Sequence, residues 1–392
     1  MFRILSIDGG GVRGIIPALV LAEIERRTGK RVCELFDLIA GTSTGGILAL
    51  GLTKPKTDGA RVPQYAAKDL VKLYEEQGSR IFSSSLLHSI FALGNVLDNK
   101  YPSGPIEDVL AEYFGDTMLS QALTSVLIPS YEIELRSAFF FKSHKAAGRT
   151  LVKGEEQKDY DYPMRDVARA TSAAPTYFEP GLIDKLDNVD DKEGSYALID
   201  GGTYANNPAM CALAEAICTT RFHKRLDEVF MVSLGTGQQT RERPILYREA
   251  KGWGTLGWAT SILSVVFDGV GDTVHFQTGL ILRPGPRAGY HRLQVTLPEG
   301  KDRYKLDDTR PSTISELKDM AKSLIAERDG EIDDICRKLV PKPPRKAAAA
   351  GTRRVAAAAA KGRVAATKGR AAPAKGRAAA GTRARASKKA AR

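Results

Sequence analysis

The chain opens with an apolar run, Met1 to Ile7, that stops at Asp8-Gly9-Gly10-Gly11. Its length and branched side chains predict a buried strand, followed by a loop that glycine makes at least cost. From Pro17 the period changes. Val20, Leu21 and Ile24 recur at helical spacing, and Gly29 closes the helix. Phe36 to Ala40 is a second buried strand, which runs into Gly41-Thr42-Ser43-Thr44-Gly45-Gly46 and then an apolar helix from Ile47. Two strand–loop–helix units with short connections predict a parallel sheet covered by helices.

The alternation continues down the chain. Helices are predicted over Pro63 to Gln77, closed by Gly78, over Pro105 to Phe114, and from Pro208. Strands are predicted over Ser125 to Glu134, Ala138 to Lys142, Tyr196 to Ile199 and Val229 to Leu234. Two amphipathic helices follow. Thr313 and Glu316 have capping-box spacing ahead of Leu317, Met320, Leu324 and Ile325, and Ile332, Ile335, Cys336 and Leu339 line the second. Residues 1–340 therefore read as one α/β body, with its motifs within 5–210 and a helical part over 250–340.

Past Pro341 the pattern vanishes. Residues 341–392 are nearly all Ala, Gly, Lys, Arg and Thr, with Lys-Gly-Arg at 361–363, 368–370 and 375–377. Nothing in this tail builds a core, and it is expected to be disordered. It holds 16 of the 58 basic residues and no acidic one, so the body, with 42 basic against 46 acidic groups, is net −4. The overall charge of +12 belongs to the tail and implies no nucleic-acid role for the body. No apolar run nears the roughly 18–20 residues of a membrane span. Asp8 and Arg13 interrupt any signal-peptide core. Cys33, Cys211, Cys218 and Cys336 form no C-x-x-C, which suits core packing in a reducing cytosol. The expected location is cytoplasmic, peripheral at the inner membrane surface.

Three segments carry chemistry. Gly9-Gly10-Gly11-Val12-Arg13-Gly14 fits G-x-G-x-x-G between a strand and a helix. Such a loop serves a dinucleotide pyrophosphate or a developing oxyanion, and alone decides neither. Gly41-x-Ser43-x-Gly45, between a buried strand and an apolar helix, has the context of a nucleophile elbow. Ser43 then sits at a helix N-terminus, where the dipole favours negative charge. Asp200-Gly201-Gly202 ends a strand, the edge at which α/β sites lie. A dinucleotide fold needs an acidic residue after the second strand, and this chain has the elbow there. His88, His144, His223, His275 and His291 have no motif around them and read as surface or helix-face residues.

Asp8-Gly-Gly-Gly-x-Arg13-Gly14, Gly41-x-Ser43-x-Gly45 and Asp200-Gly201-Gly202 together resemble the signatures of patatin-like phospholipases, in their bacterial form. Ala170-Thr-Ser-Ala-Ala-Pro175-Thr-Tyr-Phe178 and Asn206-Asn207-Pro208 fit too, and the resemblance extends over nearly all of residues 3 to 340. It implies a three-layer α/β/α fold and a Ser–Asp dyad without histidine. Ser43 would be the acyl-accepting nucleophile, flanked by Gly41 and Gly45. Asp200 would be its proton acceptor, with Gly201 and Gly202 completing the acid motif. The loop of Gly9, Gly10, Gly11, Arg13 and Gly14 would form the oxyanion hole, with the Gly10 and Gly11 amides as donors. Arg13 would steady the loop or meet a lipid phosphate. No metal or cofactor is implied. An ordinary Asp, at pKa ~3.9, is a poor base for a hydroxyl, so burial is expected to raise it.

The implied substrate is a membrane phospholipid or lysolipid, hydrolysed through an acyl-enzyme. An acyltransferase with the same dyad stays open. Phe82, Leu86, Ile90, Leu93 and Leu97 form one helical face, and Trp253 and Trp258 precede Ile262, Leu263, Val265, Val266 and Phe267. Each stretch suits core packing, a bilayer interface or an acyl groove. For the basic tail the candidate partners are an anionic membrane surface or nucleic acid, against a neutral extension.

Overall fold

The computed structural model describes residues 1–56, 60–82, 101–148, 160–184, 194–239, 247–282, 289–298 and 304–340. Ten strands appear among them: β1 (Phe2–Ile7), β2 (Leu38–Gly41), β3 (Ser125–Glu132), β4 (Ser137–Lys142), β5 (Gly181–Asp184), β6 (Ser195–Asp200), β7 (Val229–Leu234), β8 (Gln238–Gln239), β9 (Gly289–Leu293) and β10 (Thr296–Leu297). Eight build one mixed sheet in the order β5-β6-β3-β2-β1-β7-β9, with β4 hairpinned onto β3; β8 and β10 pair separately.

Strands β3, β2, β1, β7 and β9 run parallel, as the short strand–loop–helix connections require. Alternate residues of β1 enter different cores. Leu5 and Ile7 pack with the helices Ile15–Thr28, Thr44–Thr53, Pro311–Glu327 and Asp329–Leu339, whereas Phe2 and Ile4 pack with Ala209, Ala212 and Leu213 of helix Ala209–Cys218. A sheet buried on both faces gives three layers, α/β/α. No helix among the described residues is long and apolar enough to cross a membrane.

Several local expectations change. Helix Thr44–Thr53 begins at once after Ser43 rather than at Ile47. Pro63 is extended, bridging Pro55, and the helix starts at Ala67, where Asp69 accepts the Ala66 N–H at 2.9 Å. Gly78 does not close it. The chain widens into a π turn over Leu73–Gln77 and continues as Gly78–Ile81, because Gly78 keeps helical dihedrals and Ile81 is drawn into the core. The capping box does not form. Pro311 is the first helical residue, so Thr313 lies inside the helix and donates to Asp308 Oδ2 at 2.9 Å, while Glu316 accepts from the Tyr304 hydroxyl. Cys218 is exposed at a helix end rather than packed in a core. His144 is buried, its Nε2 2.9 Å from a Glu215 carboxylate oxygen, because β4 carries it under helix Ala209–Cys218. Residues 86, 88, 90, 93, 97 and 341–392 lie outside the described residues.

Candidate active site

Register along β3 explains where the site forms. β2 pairs with β3 only over Ser125 to Leu127, and antiparallel β6 pairs with the same edge over Ser130 to Glu132. The two strands thus approach one another end to end, and both stop near Pro129. Gly41 ends β2 and Asp200 ends β6, so the elbow and the acid converge at that gap. On its other edge β2 pairs with β1, with Gly41 opposite Ile7, and Asp8 and the glycine loop therefore emerge beside the elbow. Three distant segments meet because their strands end at one line across the sheet.

Direct bonds join them. Thr42 Oγ1 donates to Ala205 O at 2.7 Å, and the Gly9 N–H donates to Asn206 O at 3.0 Å. Ser43 sits at φ 54° and ψ −123°, a conformation that costs a side-chain-bearing residue about 1–3 kcal/mol. It is held from both sides. The Ser43 N–H donates to Thr171 Oγ1 at 3.0 Å, and Thr171 in turn donates to Pro129 O at 2.6 Å. Gly45 allows the turn to close: a Cβ there would lie 2.3 Å from Ile7 O and 2.8 Å from Asp8 O.

Asp200 is buried, accepts the Gly202 N–H at 2.7 Å, and lines the same cavity as Ser43. Burial pushes its pKa up to about 7, and the Gly202 N–H and the nearby Ser43 side chain only partly offset that rise. A carboxylate so placed is able to take a hydroxyl proton at neutral pH. Gly201 packs against Pro129 O, which leaves no room for a larger residue there.

In the glycine loop the five expected residues divide. The Gly9 N–H is spent on Asn206 O and so presents no donor to the serine, while Gly14 packs against the hydroxyls of Thr44 and Tyr74. Gly10 and Gly11 line the same cavity as Ser43 and Asp200, and among the described residues no acceptor pairs with either N–H. Arg13 turns inward, its Nε donating to Gly10 O at 3.3 Å and its Nη1 to Gly237 O at 3.4 Å, which braces the loop. Asp8, the acid that opens the motif, is buried in a two-pronged ion pair with Arg292 of β9, a partner without a local sequence signal.

The cavity over these residues, about 720 Å³ when the open solvent at its mouth is included, is walled mainly by Ile47, Leu73, Ile81, Phe82, Ile106 and Phe178. Phe267, from helix Thr255–Ile281, closes one side. Phe82 from the first apolar stretch thus faces the site. Along the second, Trp258, Ile262 and Val265 are exposed at 42%, 42% and 40%, contrary to simple core packing, and Trp258 stands edge-on to Trp253 at 5.3 Å. None of the described histidines bonds Ser43: His275 meets the Tyr290 hydroxyl and His291 meets Glu331. Among the described residues no group of three or more His, Cys, Asp or Glu is gathered to hold a metal ion.

A strained serine against a buried carboxylate, over an apolar cavity in an α/β/α sheet, defines a site suited to acyl-ester chemistry. Residues 5–213 match the model of the patatin-like phospholipase family. Patatin-like protein 2 of Arabidopsis thaliana is 34% identical over 322 residues, 75% of each chain. Patatin-like protein 4 of the same plant is 32% identical over 349 residues, 83% of each. Human GIVD cytosolic phospholipase A2 aligns with 86% of this chain and 60% of its own at 11% identity and a TM-score of 0.44. The chain belongs to the patatin-like phospholipase family, a family of lipid acyl hydrolases.

Proposed function

We propose that the protein hydrolyses the acyl esters of a phospholipid or lysolipid with Ser43 and Asp200 as a catalytic dyad. The observation that carries this reading is the buried Asp200 carboxyl lining one apolar cavity with the strained Ser43, where burial raises its pKa to about 7. Ser43 Oγ attacks the ester carbonyl carbon as its proton passes to Asp200. The negative charge on the carbonyl oxygen falls to the N–H groups of Gly10 and Gly11, each such donor contributing roughly 10²–10³ in rate. Collapse breaks the ester bond, and Asp200 returns the proton to the departing alcohol. Water then attacks the acyl-enzyme with Asp200 again as base, which frees the fatty acid and restores Ser43. The apolar cavity receives the acyl chain. The exposed Trp258, Ile262 and Val265 face, on the helix that also supplies Phe267, meets the lipid surface from which the chain enters.

The test is hydrolysis of a panel of phospholipids, lysolipids and simple esters by the wild type and by Ser43→Ala. Loss of all ester hydrolysis in a folded Ser43→Ala, with fluorophosphonate labelling of Ser43 in the wild type, supports the dyad; substantial remaining turnover refutes it. A labelled phospholipid supplied with and without an alcohol acceptor separates hydrolysis from acyl transfer.

A further inference from the structure

A backbone oxyanion hole works only if each peptide plane is turned the right way. The Gly9 carbonyl and the Gly10 N–H belong to one planar trans unit and point in opposite directions. Whatever holds the Gly9 oxygen therefore aims the Gly10 N–H. That oxygen accepts a hydrogen bond of 2.6 Å from Thr236 Oγ1, a buried hydroxyl in the loop after β7. One unit later the same logic recurs. The Arg13 N–H and Nε meet Gly10 O at 3.2 and 3.3 Å, which turns the Gly11 N–H the other way.

Strand order puts Thr236 there. β7 flanks β1 on the edge opposite β2, with Leu234 beside Ile7, so its loop rises against the glycine loop just as the elbow does on the other side. The loop is itself anchored: Asp8 N–H bonds Leu234 O at 3.0 Å, Gly235 N–H bonds Leu293 O at 2.9 Å, and Gly237 N–H bonds Gln294 Oε1 at 2.7 Å. Arg292 adds a fork onto Asp8 and a bond of 2.8 Å to Ser233 Oγ. Contact is close enough to demand glycine at position 10, where a Cβ would lie 2.2 Å from Thr236 Oγ1. Thr236 falls beyond residues 5–213 and is not among the residues lining the cavity.

We propose, on the reading of Ser43 and the glycine loop given above, that Thr236 is a positioning residue for the reaction, its hydroxyl setting the peptide plane that presents the Gly10 N–H to the oxyanion. Without that donor, Gly9 and Gly10 have no Cβ to resist a peptide flip, and the carbonyl is free to turn toward the cavity.

The experiment compares Thr236→Val, which keeps the branched shape and loses the donor, with Thr236→Ser, which keeps the donor and loses the methyl. Substrate is a monomeric short-chain ester, and Ser43→Ala is the reference. Thr236→Val is expected to lower kcat roughly 10–100-fold, less than outright loss of a donor, and to slow fluorophosphonate labelling in parallel. KM should stay within about twofold, because the lost alignment matters chiefly in the transition state. Thr236→Ser should recover most of the rate. Wild-type kcat in Thr236→Val, an equal loss in Thr236→Ser, or a loss confined to KM overturns the proposal. Thr236→Ala covers a valine variant that does not fold: its kcat must fall while that of serine does not. Activity persisting in Ser43→Ala would instead sink the dyad itself, a result distinct from any of these.

Discussion

In the proposed dyad, Asp200 is a side chain that trades stability for chemistry. Its folded pKa of about 7 lies above the ~3.9 of an unfolded aspartate, so the folded state binds the extra proton between those values. Stability therefore falls as pH rises through that window, by on the order of 1–4 kcal/mol for this group. Asp200→Asn should remove this cost, and denaturant titrations at pH 5 and pH 8 should show the variant gaining more on the wild type at the higher pH. The same substitution should cut turnover by several orders of magnitude, since an amide cannot accept the Ser43 proton. In the wild type, kcat/KM should rise with pH along a limb centred near 7. A flat profile across pH 5 to 9 would contradict Asp200 as base. Sequence pattern picked out Ser43 and Asp200 because glycines and strand ends mark them locally. Thr171, which fixes the Ser43 N–H, and Arg292, which pairs with Asp8, act across 128 and 284 residues of chain, where no spacing rule reaches.

Among the elements, the elbow and helix Thr255–Ile281 carry the sharpest expectations. Gly45→Ala would drive a methyl against two backbone oxygens of the β1 end, neither able to swing aside. A loss of about 1–3 kcal/mol or more is expected, with activity falling as the elbow opens; a thermal melt and an ester assay read both. On helix Thr255–Ile281, Ile262→Asp and Val265→Asp change exposed positions. These variants should keep wild-type hydrolysis of a monomeric ester and lose rate on phospholipid vesicles. Trp253 and Trp258 are the only tryptophans, so their emission should shift to the blue on vesicle addition if this face enters the bilayer interface. Unchanged emission with full vesicle activity would assign lipid contact elsewhere. The two Trp-bearing turns read alike as core or interface in sequence, because an apolar period does not state what covers the face.

For the molecule as a whole, charge divides sharply at residue 341. Met1–Lys342 form a compact unit, and every described residue lining the cavity lies between Gly10 and Leu306. Deleting residues 341–392 should leave hydrolysis of a monomeric ester unchanged. On anionic vesicles at low salt, loss of 16 positive charges should lower binding and rate, and rising salt should erase the difference. Equal vesicle activity across salt would exclude the membrane as the partner of these residues, and a DNA gel shift would then test nucleic acid.

Local pattern was enough for the strands β1, β2 and β7, the placing of Ser43 between strand and helix and of Asp200 at a strand end, and the α/β class, because period, glycine spacing and strand ends are short-range properties of the chain. Helix ends were less secure: Gly78 and the Thr313–Glu316 pair obey local rules that tertiary packing overrode. Only the folded chain decided that β2 and β6 meet end to end on one edge of β3, that Gly9 spends its N–H on Asn206, and that Thr236 stands behind Gly10. Those facts depend on sheet order and register, which arise when distant segments bury their apolar faces together, and no short window of sequence contains both partners.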